Sequence, residues 1–531
     1  MYITLVSLAN EIKDILKLNS ISSRALAINK AQKLFEQHPN HFDVGKVYAF
    51  TLVVGKSFER AVEILNKLLK INSKDYDVLN NLGKAYMELE DFEESEKYLL
   101  QAISIKKNGI FSYANLGELY LRLGEFQKSK NNFDIFFELS GGHETVKGET
   151  EIKGSYADVL LALGEREKAK KTIENFIKHQ FDANLYFYLL NMDKNYGEAE
   201  EHEKLLKYLQ SQKYPTVISQ VQHLAPIYFA LARFYEKKND DKSEEYYYEG
   251  NKIISLAQRF NAIEIQKQIK TIKKNYKYIK NNIPVDVNQK NGENIVFITG
   301  LPRSGTTLLE SIIAKHEHVK SGGEMLSMLE LCKIFSDPKI NTFNKDDFHR
   351  ISETYLKRTN FIRKKKKIFI DKLPANYFYI GLIKLCLPSA KFIILQRNFW
   401  DIAISQFRQY YLTNVPYSTK FFNIALEAAN FEHISNFWSN QPELENNIIK
   451  LKYEDLVNDE EYFANSIYNF LGIIEKYEKS GRENFFSRTA SRFEIKKTVD
   501  SSSVGKKFFE NSKDDFFKDL ENQREYWQRQ S

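Results

Sequence analysis

Cysteine is almost absent from this chain. Cys332 and Cys386 are the two that occur, each in an apolar context without a CxxC partner, so neither a disulfide framework nor a thiolate zinc site is expected. No stretch approaches the ~18 uninterrupted apolar residues that a helix needs to span a bilayer. The first ten residues carry no basic n-region, and Glu11 and Lys13 cut their apolar run short, so no secretory signal is expected and the default location is cytoplasmic. The chain also lacks a concentrated positive arm: lysine and arginine exceed acids by 7, yet Arg363 to Lys367 is the one dense run, and such runs are usually solvated faces. Nucleic acid is therefore not an expected partner. His, Cys and Asp do not cluster at ligand spacing, so no metal is expected either.

What the chain does have is size and a globular balance. At 531 residues, with 43% hydrophobic and 28% charged residues, it exceeds what one hydrophobic core usually supports and should fold as two or more domains.

The first half repeats with a period of 34 residues. Leu82-Gly83-Lys84-Ala85-Tyr86 returns as Leu116-Gly117-Glu118-Leu119-Tyr120, Ser95 maps to Ser129, Leu99 to Phe133 and Ala102 to Phe136. One period earlier stand Tyr48, Ala49, Leu52, Ala61, Leu65 and Leu68. One period later the phase slips by six across the loop at Ser140 to His143, then resumes at Tyr156, Ala157, Ala169, Ile173 and Phe176, and a looser copy runs from Phe229 through Tyr235 to about Ile254. Small residues at the eighth and twentieth positions let two antiparallel helices approach closely, while large apolar positions fill the seam. The pattern resembles the tetratricopeptide repeat (TPR). That resemblance implies helical hairpins stacked into an α-solenoid whose concave face recruits a peptide or protein partner, supports the second half, or dimerises. A lysine-rich helical stretch from Ile265 to Lys280 is broken by Asn281-Asn282-Ile283-Pro284, which places a domain boundary near 285.

Beyond the boundary, Ile295 to Thr299 reads as a buried strand and leads into Gly300-Leu301-Pro302-Arg303-Ser304-Gly305-Thr306-Thr307, followed by the helical spacing of Leu308 to Ile313. In a strand-turn-helix of this kind, backbone N–H groups and the helix dipole bind an anion, and Gly300 and Gly305 let the backbone approach it. The GxxxxG spacing matches a nucleotide P-loop, but Thr306 stands where the Walker motif needs lysine, which argues against a kinase or other NTPase. Pro302 to Thr307 instead resembles the 5′-phosphosulfate loop of sulfotransferases. The resemblance implies an α/β domain with a parallel sheet over 286–531, after the TPR region at 1–285. It further implies that Arg303, Ser304, Gly305, Thr306 and Thr307 hold the phosphosulfate of 3′-phosphoadenosine 5′-phosphosulfate (PAPS).

A second strand candidate, Ala390 to Leu395, ends in Gln396-Arg397-Asn398-Phe399. About 95 residues after the loop, Arg397 and Ser405 resemble the family's 3′-phosphate pair, with Phe399 where proline is usual. Sulfuryl transfer needs a base for the acceptor and cations or donors at the departing oxygen. Glu324 in Ser321-Gly322-Gly323-Glu324 matches the base of the tyrosylprotein sulfotransferase branch; a surface acid capping the next helix is the plain alternative, and His316 and His318 are rival bases. Lys372 in Asp371-Lys372-Leu373-Pro374 matches that branch's Lys-x-Pro and, with Arg303, would neutralise the leaving group. Near the C-terminus, Arg488 to Ser491 and Ser501 to Lys506 resemble the closing segment of TPR-linked bacterial sulfotransferases, giving Ser491 a role at the bridging oxygen and Lys506 one at the 3′-phosphate.

The expectation is thus a PAPS-dependent sulfotransferase acting on a hydroxyl or amine of a peptide, glycan or small molecule. The alternative is a TPR scaffold that keeps the nucleotide fold without catalysis.

Overall fold

The computed structural model describes residues 2–20, 24–142, 150–193, 196–214, 216–238, 240–338, 343–363, 367–411, 415–478, 505 and 508–530. The chain forms two compact units, one of residues 1–166 with 357–361, the other of 167–356 with 362–531. Ser491 and Lys506 lie outside the described residues.

The first unit is built of helices α1 (Tyr2–Ser20), α2 (Arg24–Gln37), α3 (Phe42–Val54), α4 (Phe58–Ile71), α5 (Tyr76–Glu88), α6 (Phe92–Ile105), α7 (Ile110–Arg122), α8 (Phe126–Leu139) and α9 (Thr150–Ala162). The repeat explains how they pair. A methyl group added to Gly83 of α5 would lie 2.5 Å from Leu99 Cγ of α6, and one added to Gly117 of α7 would lie 2.8 Å from the Phe133 ring of α8. Each glycine is the point where its hairpin closes. The next repeat position ties the seam with a polar contact: Ser95 Oγ donates to the Gly83 carbonyl at 2.8 Å and Ser129 Oγ to the Gly117 carbonyl at 2.6 Å, both buried. Leu82, Ala85, Leu99 and Ala102 are fully buried, as their phase requires.

The second unit begins with further helices, α10 (Arg166–His179), α11 (Ala183–Met192), α12 (Ala199–Ser211), α13 (Val217–Lys237), α14 (Lys242–Ser255) and α15 (Ala262–Asn282). The looser repeat is the α13–α14 hairpin, with Gly250 close against Phe229. The lysine-rich α15 buries Ile269, Ile272, Tyr276 and Ile279 at helical spacing and ends before Pro284. No helix among the described residues is long and apolar enough to cross a membrane, and both cysteines are buried free thiols.

An α/β domain completes this unit. Its strands are β1 (Ile295–Gly300), β2 (Val319–Ser321), β3 (Ile368–Asp371), β4 (Lys391–Gln396) and β5 (Ile448–Lys452), all parallel, in the order β2-β3-β1-β4-β5. The helices between and after them are α16 (Thr306–Ile313), α17 (Ser327–Cys332), α18 (Lys345–Arg363, whose residues 357–361 group with the first unit), α19 (Ile380–Cys386), α20 (Phe399–Phe407), α21 (Phe421–Ser439), α22 (Tyr453–Asn458), α23 (Glu460–Leu471) and α24 (Lys513–Gln528).

The central strand β1 is buried on both faces, as parallel strands between helical layers must be. On one face Val296 and Ile298 join Ile370, Ile393 and Leu395 in a core with Leu309, Ile312 and Phe463; on the other, Phe297 stacks on Phe392 at 5.4 Å. From β1 the chain moves toward β3 and β2, and from β4 toward β5. The switch point therefore falls at the carboxyl ends of β1 and β4, where open α/β sheets bind ligands.

Candidate active site

Four adjacent strands deliver the candidate residues. At the end of β1 the turn places Arg303 at φ +72° and Gly305 at φ +100°, the left-handed region that only glycine enters without cost. Gly305 has no alternative: a Cβ there would lie 2.4 Å from the Tyr453 ring. Gly300 is equally confined, with a Cβ meeting the Leu395 carbonyl and Ser304 Oγ at 2.7 Å each. α16 (Thr306–Ile313) starts directly after the turn, so the positive end of its dipole lies at the turn. Ser304 is fully buried, and its Oγ has no hydrogen-bond partner among the described residues.

The end of β4 meets this turn. Arg397 Nη1 donates to the Arg303 carbonyl at 3.1 Å, and its guanidinium lies 4.4 Å from the centre of the Tyr453 ring. From α20, Gln406 donates to the Pro302 carbonyl at 2.8 Å, and Ser405 Oγ accepts from Arg303 Nε at 2.8 Å. The turn's carbonyls are thus held by β4 and α20. Arg303, Arg397, Ser405 and the turn form one connected cluster, and burial makes the Arg397 guanidinium hold its proton less tightly than usual. With phenylalanine at position 399, Asn398 starts α20 as a side-chain cap, accepting from the Trp400 and Asp401 amides at 2.9 and 3.2 Å.

The ends of β2 and β3 supply the second cluster. Lys372 is fully buried and its Nζ donates to Glu324 Oε1 at 2.6 Å; the Glu324 side chain is 43% exposed. Glu324 thus pairs with lysine, and α17 has no side-chain cap at Leu326. A third member is Glu310 of α16, fully buried, with Oε2 3.8 Å from Lys372 Nζ and Oε1 accepting from Ser321 Oγ. Burial, opposed by Lys372 and Ser321, holds the Glu310 carboxyl above its usual pKa.

His316 and His318 sit elsewhere. They follow the C-terminal end of α16, about 12 Å of helix rise from its start. His316 lies 3.3 Å from Glu475, packs edge-on against Tyr468, and its Nδ1 accepts from the His318 amide.

Sequence reasoning missed Glu310, Tyr453 and Asp401. Glu310 had a signal: it is the one acid in the apolar run Thr306 to Ile313. Tyr453, which backs both Gly305 and Arg397, had none. Asp401, one turn before Ser405, accepts from the amide of Gly505, the neighbour of Lys506, at 3.1 and 3.2 Å.

Residues 295–476 match the profile of the Sulfotransferase family, and residues 76–108 that of the tetratricopeptide repeat. An uncharacterised protein of Aquifex aeolicus is 26% identical over 385 residues, which span 66% of this chain and 47% of that protein; the chain spans about half the length of the curated relative it matches. Among solved structures, a thermophilic TPR protein of Thermus thermophilus aligns with 16% identity and a TM-score of 0.32 over 35% of this chain and 98% of its own. A tetratricopeptide repeat protein from Parabacteroides merdae aligns with 13% identity and a TM-score of 0.32, over 46% and 93%. The strand ends that gather the two clusters fall within the matched segment, and the chain combines tetratricopeptide repeats with a sulfotransferase-family domain.

Proposed function

We propose that this protein is a PAPS-dependent sulfotransferase that modifies a hydroxyl or amine of a peptide, glycan or small-molecule acceptor, with the TPR region, taken as 1–285, recruiting acceptor or partner and 286–531 carrying the chemistry. The observation that carries this reading is the delivery of Glu324, Lys372, the Ser304–Gly305 turn and Arg397 by the ends of four neighbouring strands.

The residues present fit a phosphosulfate donor. Ser304 offers a buried hydroxyl with no partner among the described residues, Gly300 and Gly305 leave no room for side chains, and two guanidiniums flank the turn. Arg303, Ser304, Gly305, Thr306 and Thr307 would hold the 5′-phosphosulfate, and Arg397 with Ser405 the 3′-phosphate. When bound, PAPS supplies the sulfuryl group that is transferred.

The remaining work falls to the chain's own side chains. Glu324, partly exposed, takes the acceptor's proton. Lys372, buried and positively charged, offsets charge at the departing oxygen together with Arg303. Ser491 and Lys506 are proposed for the bridging oxygen and the 3′-phosphate on the family resemblance.

Calorimetry with 3′-phosphoadenosine 5′-phosphate on wild type and Arg397→Ala tests the donor site. The expected result is binding in wild type and a loss of about 10-fold or more in the variant; equal weak binding in both overturns the assignment. Glu324→Gln should keep this affinity and abolish turnover of PAPS, whereas full turnover returns the base to His316 or His318.

A further inference from the structure

Glu310 is a costly residue to place where it stands. Leu309, Ile312 and Ile313 around it on α16 belong to the apolar core, and a buried carboxylate is tolerated only when its oxygens are bonded or paired. Here the satisfaction is partial. Oε1 accepts from Ser321, while Oε2 has no hydrogen-bond partner among the described residues and faces Lys372 at 3.8 Å, an ion-pair distance too long for a hydrogen bond. A glutamine or leucine would fill the same space more cheaply.

Two connections run from this carboxylate to the Lys372–Glu324 pair. The first is a tether. Ser321 Oγ, which donates to Glu310, also accepts from the Gly323 amide at 2.9 Å, and Gly323 at φ +68° turns the chain immediately before Glu324. The same short loop is fastened to β3: Gly322 N–H donates to the Ile370 carbonyl at 2.8 Å and Lys372 N–H to the Gly323 carbonyl at 2.9 Å. The backbone that carries Glu324 is therefore pinned on one side by the sheet and on the other by Glu310 through Ser321.

The second connection is charge. At 2.6 Å from Glu324, Lys372 neutralises the carboxylate that must accept a proton from the acceptor. A second carboxylate behind the lysine shares its charge, weakens its hold on Glu324, and keeps the ammonium compensated once Glu324 has taken up a proton.

We infer that Glu310 is a positioning residue for sulfuryl transfer, aligning the Glu324 loop through Ser321 and holding Lys372 in place through its charge. This rests on the reading of Glu324 as base and Lys372 as the cation at the departing oxygen.

Glu310→Gln removes the charge while leaving an oxygen for Ser321; Ser321→Ala removes the tether and leaves the charge. Three readouts separate alignment from a general loss of fold: hydrogen exchange at the Gly323 amide in ligand-free protein, affinity for 3′-phosphoadenosine 5′-phosphate, and the pH profile of 3′-phosphoadenosine 5′-phosphate formation from PAPS. In both variants the affinity should stay within about threefold of wild type while the rate falls by about 10- to 100-fold, the scale of small misplacements in a catalytic pair. Ser321→Ala should speed Gly323 exchange by about tenfold or more, the amide having lost its acceptor. Glu310→Gln should move the acid limb of the rate profile to lower pH, because Glu324 loses a like charge and keeps the whole of Lys372. Wild-type exchange, rate and acid limb in both variants, with Glu324→Gln inactive, overturns the positioning role and leaves the base assignment intact. A fully active Glu324→Gln overturns the base assignment beneath it.

Discussion

Replacing Lys372 with methionine tests the buried charge balance directly. Methionine keeps most of the side chain's length and apolar volume but removes the ammonium, leaving the fully buried Glu310 without its counter-charge. At 3.8 Å and an effective dielectric near 20, the lost attraction is about 4 kcal/mol. Removing one partner of a buried pair typically costs about 3–5 kcal/mol, because the survivor stays desolvated. Glu324 adds little, since its side chain is 43% exposed and water can replace the lysine. The expected loss is therefore about 4 kcal/mol at pH 8.

That loss should depend on pH. Burial already holds the Glu310 carboxyl above its ordinary pKa, and losing Lys372 raises it further. A carboxyl with a raised pKa in the folded state folds best protonated. The deficit is then complete above the folded pKa and vanishes as pH falls toward the unfolded value of about 4.3. Urea unfolding followed by tryptophan fluorescence suits the question, because Trp400, Trp438 and Trp527 are the chain's three tryptophans and all lie in the second unit. Lys372→Met should approach wild-type stability between pH 8 and pH 5, and Lys372→Met with Glu310→Gln should recover at least half of the loss at pH 8. Equal deficits at both pH values, or no recovery in the double variant, refute the view that an unpaired Glu310 charge is what costs the stability.

Three other outcomes follow from contacts elsewhere. Gly117→Ala should destabilise the first unit by about 1–3 kcal/mol, because its methyl group would press on the Phe133 ring, while Gly154→Ala, whose methyl group would meet nothing within 4 Å beyond its own helix among the described residues, should be neutral or stabilising in a thermal melt followed by circular dichroism. Ser405→Ala should weaken 3′-phosphoadenosine 5′-phosphate about 10- to 150-fold in calorimetry, the range for losing a hydrogen bond to a charged group; it also frees Arg303 Nε from its 2.8 Å bond, so unchanged affinity removes Ser405 from the donor site. His433, bonded to Lys273 at 2.8 Å and stacked on Trp527, has its pKa pulled down to about 4 by burial and by Lys273. A histidine depressed on folding contributes stability that is present above about 6.5 and is lost as pH falls toward 4. His433→Phe should flatten that part of the stability curve, and an unchanged slope there refutes the assignment.

The two halves of the chain differ in how openly their sequence declares them, and the difference is physical. In the repeats, one steric demand recurs in the α5–α6 and α7–α8 hairpins, so Gly83 and Gly117 can be recognised by their spacing, together with Ser95 and Ser129. The glycine turn is legible for a related reason: backbone at φ +100° against the Tyr453 ring admits glycine alone. Glu324, Lys372 and Arg397 could be proposed because each ends a strand or follows one closely, and parallel strands bring such ends to a common edge whatever their order. That order, β2-β3-β1-β4-β5, was not legible, and with it went the knowledge that the ends of β2 and β3 put Glu324 and Lys372 in contact.

Glu310 shows the remaining limit. Helical spacing assigns it to a segment whose neighbours are apolar, which marks a carboxylate there as anomalous. The partner that explains the anomaly is 62 residues away, just past the end of β3. A local pattern can reveal that a buried charge needs a partner, but only the three-dimensional fold identifies that partner. Tyr453 is a stronger case, since nothing in the run Ile448 to Lys452 distinguishes the residue after it as the floor beneath both Gly305 and Arg397. Residues that act by shape, or by neutralising a charge brought from elsewhere, leave little trace in spacing; residues whose backbone admits one side chain leave the clearest. The supporting layer of the candidate site is therefore where the structure adds most, and Glu310 and Ser321 are the positions at which that addition can be tested without altering any group proposed to touch the donor.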